Sequence, residues 1–270
     1  NFILIFFIVI SNTVIFISGE RSAFFYCILF NLIALLLSNK YNFQFFISFI
    51  FSSIIILLLL NFNSDLKFRM HDYTIKQFTG EKLNIPSDND KLNDVKSNDS
   101  TKVDKSINYG FKIISHEHEV LFSKALIIFK YNKFFGVGPK MFRLDCSNPK
   151  YKVQVNFDIA TGHNLFNHGC GSHPHNIYLQ LLSETGIIGT LPIIFLFIYI
   201  IYSLLVFSIT KISRVSQSKF NQINIFIYIS ILIPLWPFIP TGSFFNNWVS
   251  IINFLCFGFF LFIKKDLIRY

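Results

Sequence analysis

Residues 187–210 read IIGTLPIIFLFIYIIYSLLVFSIT, without a single charged side chain. A helix of that length exceeds the ~30 Å hydrocarbon layer of a bilayer, which needs roughly 20 largely apolar residues to cross. Working outward, runs of the same character occupy residues 2–18, 23–38 and 43–61 before it, and 223–239 and 248–263 after it. Several are short for a span, so their ends are expected to extend into flanking residues. The expected fold is an all-α, polytopic transmembrane helix bundle of about six spans. Composition agrees. Of 270 residues, 52% are hydrophobic, 18% aromatic and only 14% charged, with a mean hydropathy of +0.50. Soluble domains carry about 25% charged residues, so a water-soluble enzyme, a wholly disordered chain and a collagen-like repeat are excluded. The net charge of +9 matters less than where the basic residues fall, and nucleic acid is not an expected partner.

The short loops set an orientation. If the first span runs outward, Lys40, then Lys211, Arg214 and Lys219, then Lys264, Lys265 and Arg269 collect on the cytoplasmic face. The opposite short loops hold only Glu20 with Arg21 and the uncharged run 241–247, which is the positive-inside pattern. The organisation expected is 1–61 for transmembrane helices 1–3, 62–176 for a large periplasmic loop containing short helices, and 177–270 for transmembrane helices 4–6. Asn1 opens directly into an apolar run with no initiator Met and no basic signal region. The chain therefore reads as the C-terminal part of a longer membrane protein, its N-terminal part missing.

Within the loop, 84–108 is rich in Asn, Asp, Ser and Lys and reads as a flexible insert, with too little apolar surface to offset its ordering entropy. Residues 116–133 carry Val120, Leu121, Lys124, Ala125, Ile127, Ile128 and Tyr131 at helical spacing, as an amphipathic helix would. The turn Gly136-Val137-Gly138-Pro139 ends it. A dinucleotide loop there would need a third glycine where Met141 stands, and a strand before it, so a tight turn is the better reading. Cys146 and Cys170, both in the loop, are a disulfide candidate; Cys27 and Cys256 lie in spans and read as small apolar residues. His163, His168, His173 and His175 crowd around Cys170, and His116 and His118 sit in an HEHE run. Their spacing matches no regular zinc motif, so no metal is expected, and HEHE after Ser115 reads as a helix N-terminus.

Residues 173–189 are the most specific stretch: HPHN, then YLQLLSETGIIG at 178–189. Pro174 disfavours helix before it, and Gly186 with Gly189 would let another helix approach or break the segment in two. Together with FFGVGPKMFR at 134–143 and SGERSAF at 18–24, this pattern resembles the bacterial O-antigen ligase and O-antigen polymerase superfamily, from about residue 10 onward. Members have about twice as many spans. The resemblance implies a membrane glycosyltransferase that takes a glycan from an undecaprenyl-pyrophosphate carrier on the periplasmic face of the bacterial inner membrane. It joins the glycan to lipid A-core or another glycan acceptor, with membrane lipid as its other partner. A glycosyl pyrophosphate carries its own leaving group, so no cofactor is expected; a cation for the departing pyrophosphate and a base for the acceptor hydroxyl suffice.

His175 is the expected base, its unperturbed pKa of ~6.5 allowing a neutral imidazole, and Arg21 the expected cation. Arg143, Asn176, Glu184 and Tyr178 are expected to contact substrate. Helical spacing puts Glu184 on the far side of the segment from His175, so it does not orient that ring. Polymerase or protein O-oligosaccharyltransferase activity would use the same residues. A lipid-linked sugar transporter and a His/Cys metal or redox sensor are the alternatives outside that class.

Overall fold

The computed structural model describes residues 2–38, 40–79, 116–151, 170–212 and 219–268. Among them the regular structure is entirely helical. Apolar helices α1 (Phe2–Ile17), α2 (Arg21–Leu37) and α3 (Asn42–Phe62) are joined by short turns and pack on one another. α4 (Ser64–Lys67), a π-helical turn (Phe68–Asp72) and α5 (Tyr73–Thr79) follow, then α6 (His116–Tyr131), α7 (Phe142–Asp145) and a 3₁₀ turn (Pro149–Tyr151). The chain ends in α8 (Ile177–Ile212), α9 (Lys219–Leu232) and α10 (Asn247–Ile268). α9 packs on α2, α8 and α10, and α6 and α7 pack on α8. The insert 84–108, Ser115, His163 and His168 lie outside the described residues.

The main core is built where these helices meet, around Ala34, Phe45, Ile177, Leu181, Ile200, Ile225 and Ile229. The outward faces stay apolar: Phe2 is 89% exposed, Phe195 64% and Ile252 63%. Water would penalise that surface and lipid would not. α3 and α8 are each long and apolar enough to cross a membrane, and α1, α2, α9 and α10 contain shorter apolar stretches. These helices point to a membrane protein.

Two element ends differ from the sequence expectation. The run 223–239 does not continue as helix past Leu232, because Pro234 restricts the residue before it and the chain then turns through Pro237 and Pro240. At the other extreme, the run 187–210 is preceded by a further helical piece from Ile177, with a break at Gly186 (φ 64°, ψ −166°).

That break explains how the 134–143 turn is held. Val137 and Gly138 N–H donate to the carbonyls of Ser183 and Glu184 (3.0 and 2.8 Å), and Ile187 and Ile188 N–H donate to those of Lys133 and Phe134 (2.8 and 3.3 Å). The two backbones are in contact. A Cβ on Gly136 would lie 2.3 Å from the Glu184 carbonyl carbon, and one on Gly186 2.3 Å from that of Phe134. Both glycines also have positive φ, 65° and 64°. The expected break at Gly186 is present, but the close neighbour there is the backbone of the 133–138 turn and not another helix. Nearby, Ala125, Ile128, Phe142, Cys146 and Tyr151 form a second, smaller core, closed by a disulfide between Cys146 and Cys170. Lys124 is buried against it with Nζ donating to the Tyr151 carbonyl at 2.7 Å, and burial pulls its pKa down.

Candidate functional site

Where α2 and α8 begin, a cleft of about 560 Å³ opens between the ends of the helices. It is assembled from the 19–22 turn, the π-helical turn with Tyr73, His118 of α6, His173 and His175 before α8, and residues 240–242 before α10.

The first wall is cationic. Gly19 (φ 71°) reverses the chain out of α1, its N–H bonding the Phe16 carbonyl at 3.1 Å, and this sets Arg21 at the first position of α2. The Arg21 guanidinium carbon sits 4.4 Å from the centre of the Tyr73 ring, a cation–π contact that fixes its direction. Arg69 comes from the π-helical turn and lies against Gly19 so closely that a Cβ there would be 2.8 Å from its Cζ. Two guanidiniums thus share one cleft, with Glu20 beside them.

The second wall is made of imidazoles. His175 has a left-handed backbone (φ 55°) that turns its carbonyl onto the Thr241 N–H at 2.8 Å while its ring enters the cleft. The His173 ring centre is 4.1 Å from that of His175, and the His118 ring meets His175 edge-on at 5.2 Å. His173 Nε2 is 3.2 Å from the Thr241 carbonyl, which can only accept, so Nε2 carries the proton and Nδ1 accepts from the Ser172 hydroxyl at 2.8 Å. Burial is the largest influence on both His173 and His175 and pulls each pKa below the usual imidazole value; bonding to Thr241 opposes it in each. His173 is lowered further by the charges His175 and His118 would carry. Neutral rings are therefore favoured at neutral pH, which is the form a base requires. Thr241 Oγ1 is buried in this wall with no hydrogen-bond partner among the described residues, an unspent polar atom at the cleft.

Arg21 and His175 are thus brought together, and the other sequence candidates fall elsewhere. Asn176 caps α8: its Oδ1 accepts from the Tyr178 and Leu179 N–H groups, both at 3.1 Å, and its Nδ2 donates to the Pro237 carbonyl at 2.7 Å. The Tyr178 hydroxyl donates to the Leu235 carbonyl at 2.7 Å. Both residues hold the start of α8 to the 233–240 segment and so position His175. Glu184 is fully buried, and its carboxylate accepts from Lys140 N–H (3.0 Å), Phe142 N–H (3.1 Å) and Gln180 Nε2 (3.1 Å). The amides of the 136–142 turn are therefore already taken by carbonyls and by this carboxylate, and none is left for an anion. Arg143, exposed on α7, does not line the cleft. Asn176, Tyr178 and Glu184 do not line the cleft and have hydrogen-bond partners within the fold.

Among the cleft residues, Arg69, Tyr73 and Thr241 escape the sequence reading, and His118 is read there only as part of a helix N-terminus. Arg69 had a signal, since it follows the third apolar run at the same end of the bundle as Arg21. His118 had one too: with Leu121, Ala125 and Ile128 it repeats at helical spacing along the packed face of α6, which the capping explanation of HEHE overlooks.

An all-helical, apolar-surfaced bundle with guanidiniums facing imidazoles across one cleft defines a membrane protein equipped to hold an anionic substrate beside a base. A family model described as O-antigen ligase matches residues 5–194, and the chain belongs to that family. No individual curated protein and no solved structure gives a significant match. Its function is of the O-antigen ligase or polymerase type, on lipid-linked glycans.

Proposed function

We propose that the protein is a metal-independent membrane glycosyltransferase that moves a glycan from undecaprenyl pyrophosphate to a lipid-linked acceptor, lipid A-core or another glycan. One observation carries this reading: Arg21 and His175, from distant parts of the chain, line the same cleft. The bundle spans the inner membrane about six times with the cleft on the periplasmic side, a topology supported by the cluster of basic residues in the opposite short loops.

His175 takes the proton of the acceptor hydroxyl as that oxygen attacks the anomeric carbon of the donor. The bond from that carbon to the pyrophosphate oxygen breaks, and the departing charge is met by Arg21 and Arg69. Arg143 lies outside the cleft in this state and reaches a bound glycan only if the loop carries it there.

Transfer from purified lipid-linked glycan by the full-length protein, with chelator present, tests the reading. His175→Ala should lower kcat by about 10²–10⁴-fold, the range for loss of a general base. Arg21→Ala and Arg69→Ala should each cost about 10²-fold or more, as loss of charge stabilisation does. Normal transfer by the His175 or the Arg21 variant, inserted at wild-type level, would remove its assigned role.

A further inference from the structure

The chain leaving α6 carries an apolar patch that the cleft does not use. Phe135 is 76% exposed, and Tyr131, Phe134 and Leu144 are exposed beside it in the sequence, while Phe142 is buried in the smaller core. Between residues 130 and 150 the chain holds Lys130, Lys133, Lys140, Arg143 and Lys150 against one acid, Asp145, and all five cations are exposed. Exposed aromatic rings set among cations are the composition of a surface at a lipid–water boundary.

Hydrogen bonds fix the height of this patch along the bundle. The carbonyls of Lys133 and Phe134 accept from Ile187 and Ile188, which open the uncharged run of α8. A helix from Ile187 to Lys211 is ~36 Å long, against a hydrocarbon layer of ~30 Å. With Lys211 at the inner boundary, as in the proposed topology, Ile187 stands ~6 Å beyond the outer one, among the headgroups. The same turn reaches the start of α10, where Lys140 Nζ is 3.5 Å from Asn247 Oδ1 and the next residue, Trp248, is 78% exposed. An exposed indole suits that zone as well. The backbone is also prepared for it, since Val137, Gly138, Lys140 and Phe142 N–H all have acceptors within the fold.

We infer that residues 130–144 form a membrane-surface anchor: Phe134, Phe135 and their apolar neighbours enter the headgroup region of the periplasmic leaflet, and Lys130, Lys133 and Lys140 bind the phosphates of anionic phospholipid. The assignment rests on the topology of the proposed function for the choice of leaflet, and not on the transfer reaction. The cations favour phosphate over an apolar helix as the occupant, and contacts between membrane helices favour small residues over phenylalanine. α6 would then run from His118 in the cleft to Tyr131 in the lipid, so that the bilayer surface holds the helix that brings His118 to His175.

Phe135→Trp in the full-length protein, reconstituted in nanodiscs, adds an emission that is read against the parent's own tryptophans. Bromine on the upper acyl carbons of phosphatidylglycerol should quench the added emission, and aqueous iodide should not. Bromo-phosphatidylcholine at the same mole fraction should quench it less, and Lys130→Gln with Lys133→Gln should abolish that difference. Leu144→Trp gives the same reading from the other end of the turn if the first variant fails to fold. Iodide quenching without bromolipid quenching puts the patch in water and overturns the anchor. Shielding from both quenchers puts it under another part of the full-length chain, and release of quenching by an added phosphorylated glycolipid gives it to the acceptor; either also overturns the anchor. Equal quenching by the two lipids overturns the role of the lysines. Insertion without glycan transfer by the wild type keeps the anchor and removes the transfer reading, and transfer with the patch in water does the reverse.

Discussion

His175 combines a backbone that most residues avoid with a side chain whose charge is unwelcome. A left-handed φ of 55° is tolerated better by histidine than by bulky or branched residues, and its cost is met here by the bond to Thr241 and the Asn176 cap. His175→Gly, which adopts that backbone freely, should therefore fold as well as the wild type yet transfer no glycan, as parallel unfolding and activity assays would show. The pH dependence follows from burial. The folded pKa of His175 lies below the ordinary ~6.5, so the neutral base persists through neutral pH and is lost only as pH falls through the lower folded value. A profile of kcat/KM should be flat above about pH 6.5 with an acid midpoint beneath it; a midpoint above that value would contradict the burial argument. Stability moves the same way, because the unfolded chain takes up protons first as pH drops, so His173 and His175 weaken the fold below about pH 6.5. Gly19→Ala should displace Arg69 from the cleft and raise KM for the donor, and because φ 71° is strained for alanine it should also lower the unfolding temperature, so KM is compared on the folded fraction. The histidine was legible because HPHN stands in a row before a helix. Arg69 is not singled out there, and His118 is set aside as part of a helix N-terminus, because only the folded chain brings them beside Arg21 and His175.

The interlock between the 133–138 turn and the break in α8 ties the segment after α6 to α8. Gly136→Ala or Gly186→Ala would place a methyl against backbone, and at positive φ the backbone cannot accommodate it by local adjustment. Either variant should lose folded protein, read as a lowered yield of monodisperse material after detergent extraction. Glu184→Gln is a gentler probe: one carboxylate oxygen becomes an amide facing an N–H donor, a loss of about 1.5–3 kcal/mol for a charge-assisted bond. It should lower the unfolding temperature while leaving the pH profile of kcat/KM, set by His175, unaltered. The glycines, and the possibility of a break at Gly186, could be read from sequence, and so could the turn. The partnership between them could not, since backbone hydrogen bonds between distant segments carry no side-chain signature.

At the scale of the molecule, the apolar runs located the helices well because lipid selects for composition over long stretches, and they missed where local chemistry intervenes, as Pro234 does at the end of α9. The covalent tie between Cys146 and Cys170 encloses a segment of sequence separation 24, which constrains the unfolded chain by about 3 kcal/mol in the chain-entropy model. Replacing both cysteines with serine should lower the unfolding temperature, and a non-reducing peptide map of the wild type should recover residues 146 and 170 in one linked species. The glycine interlock reaches further, into biosynthesis. The amides of Val137 and Gly138 have their acceptors on residues that leave the ribosome much later, at Ser183 and Glu184. A nascent chain halted before that point would expose a half-built turn to quality control, so completion of this loop waits on the arrival of the next helix.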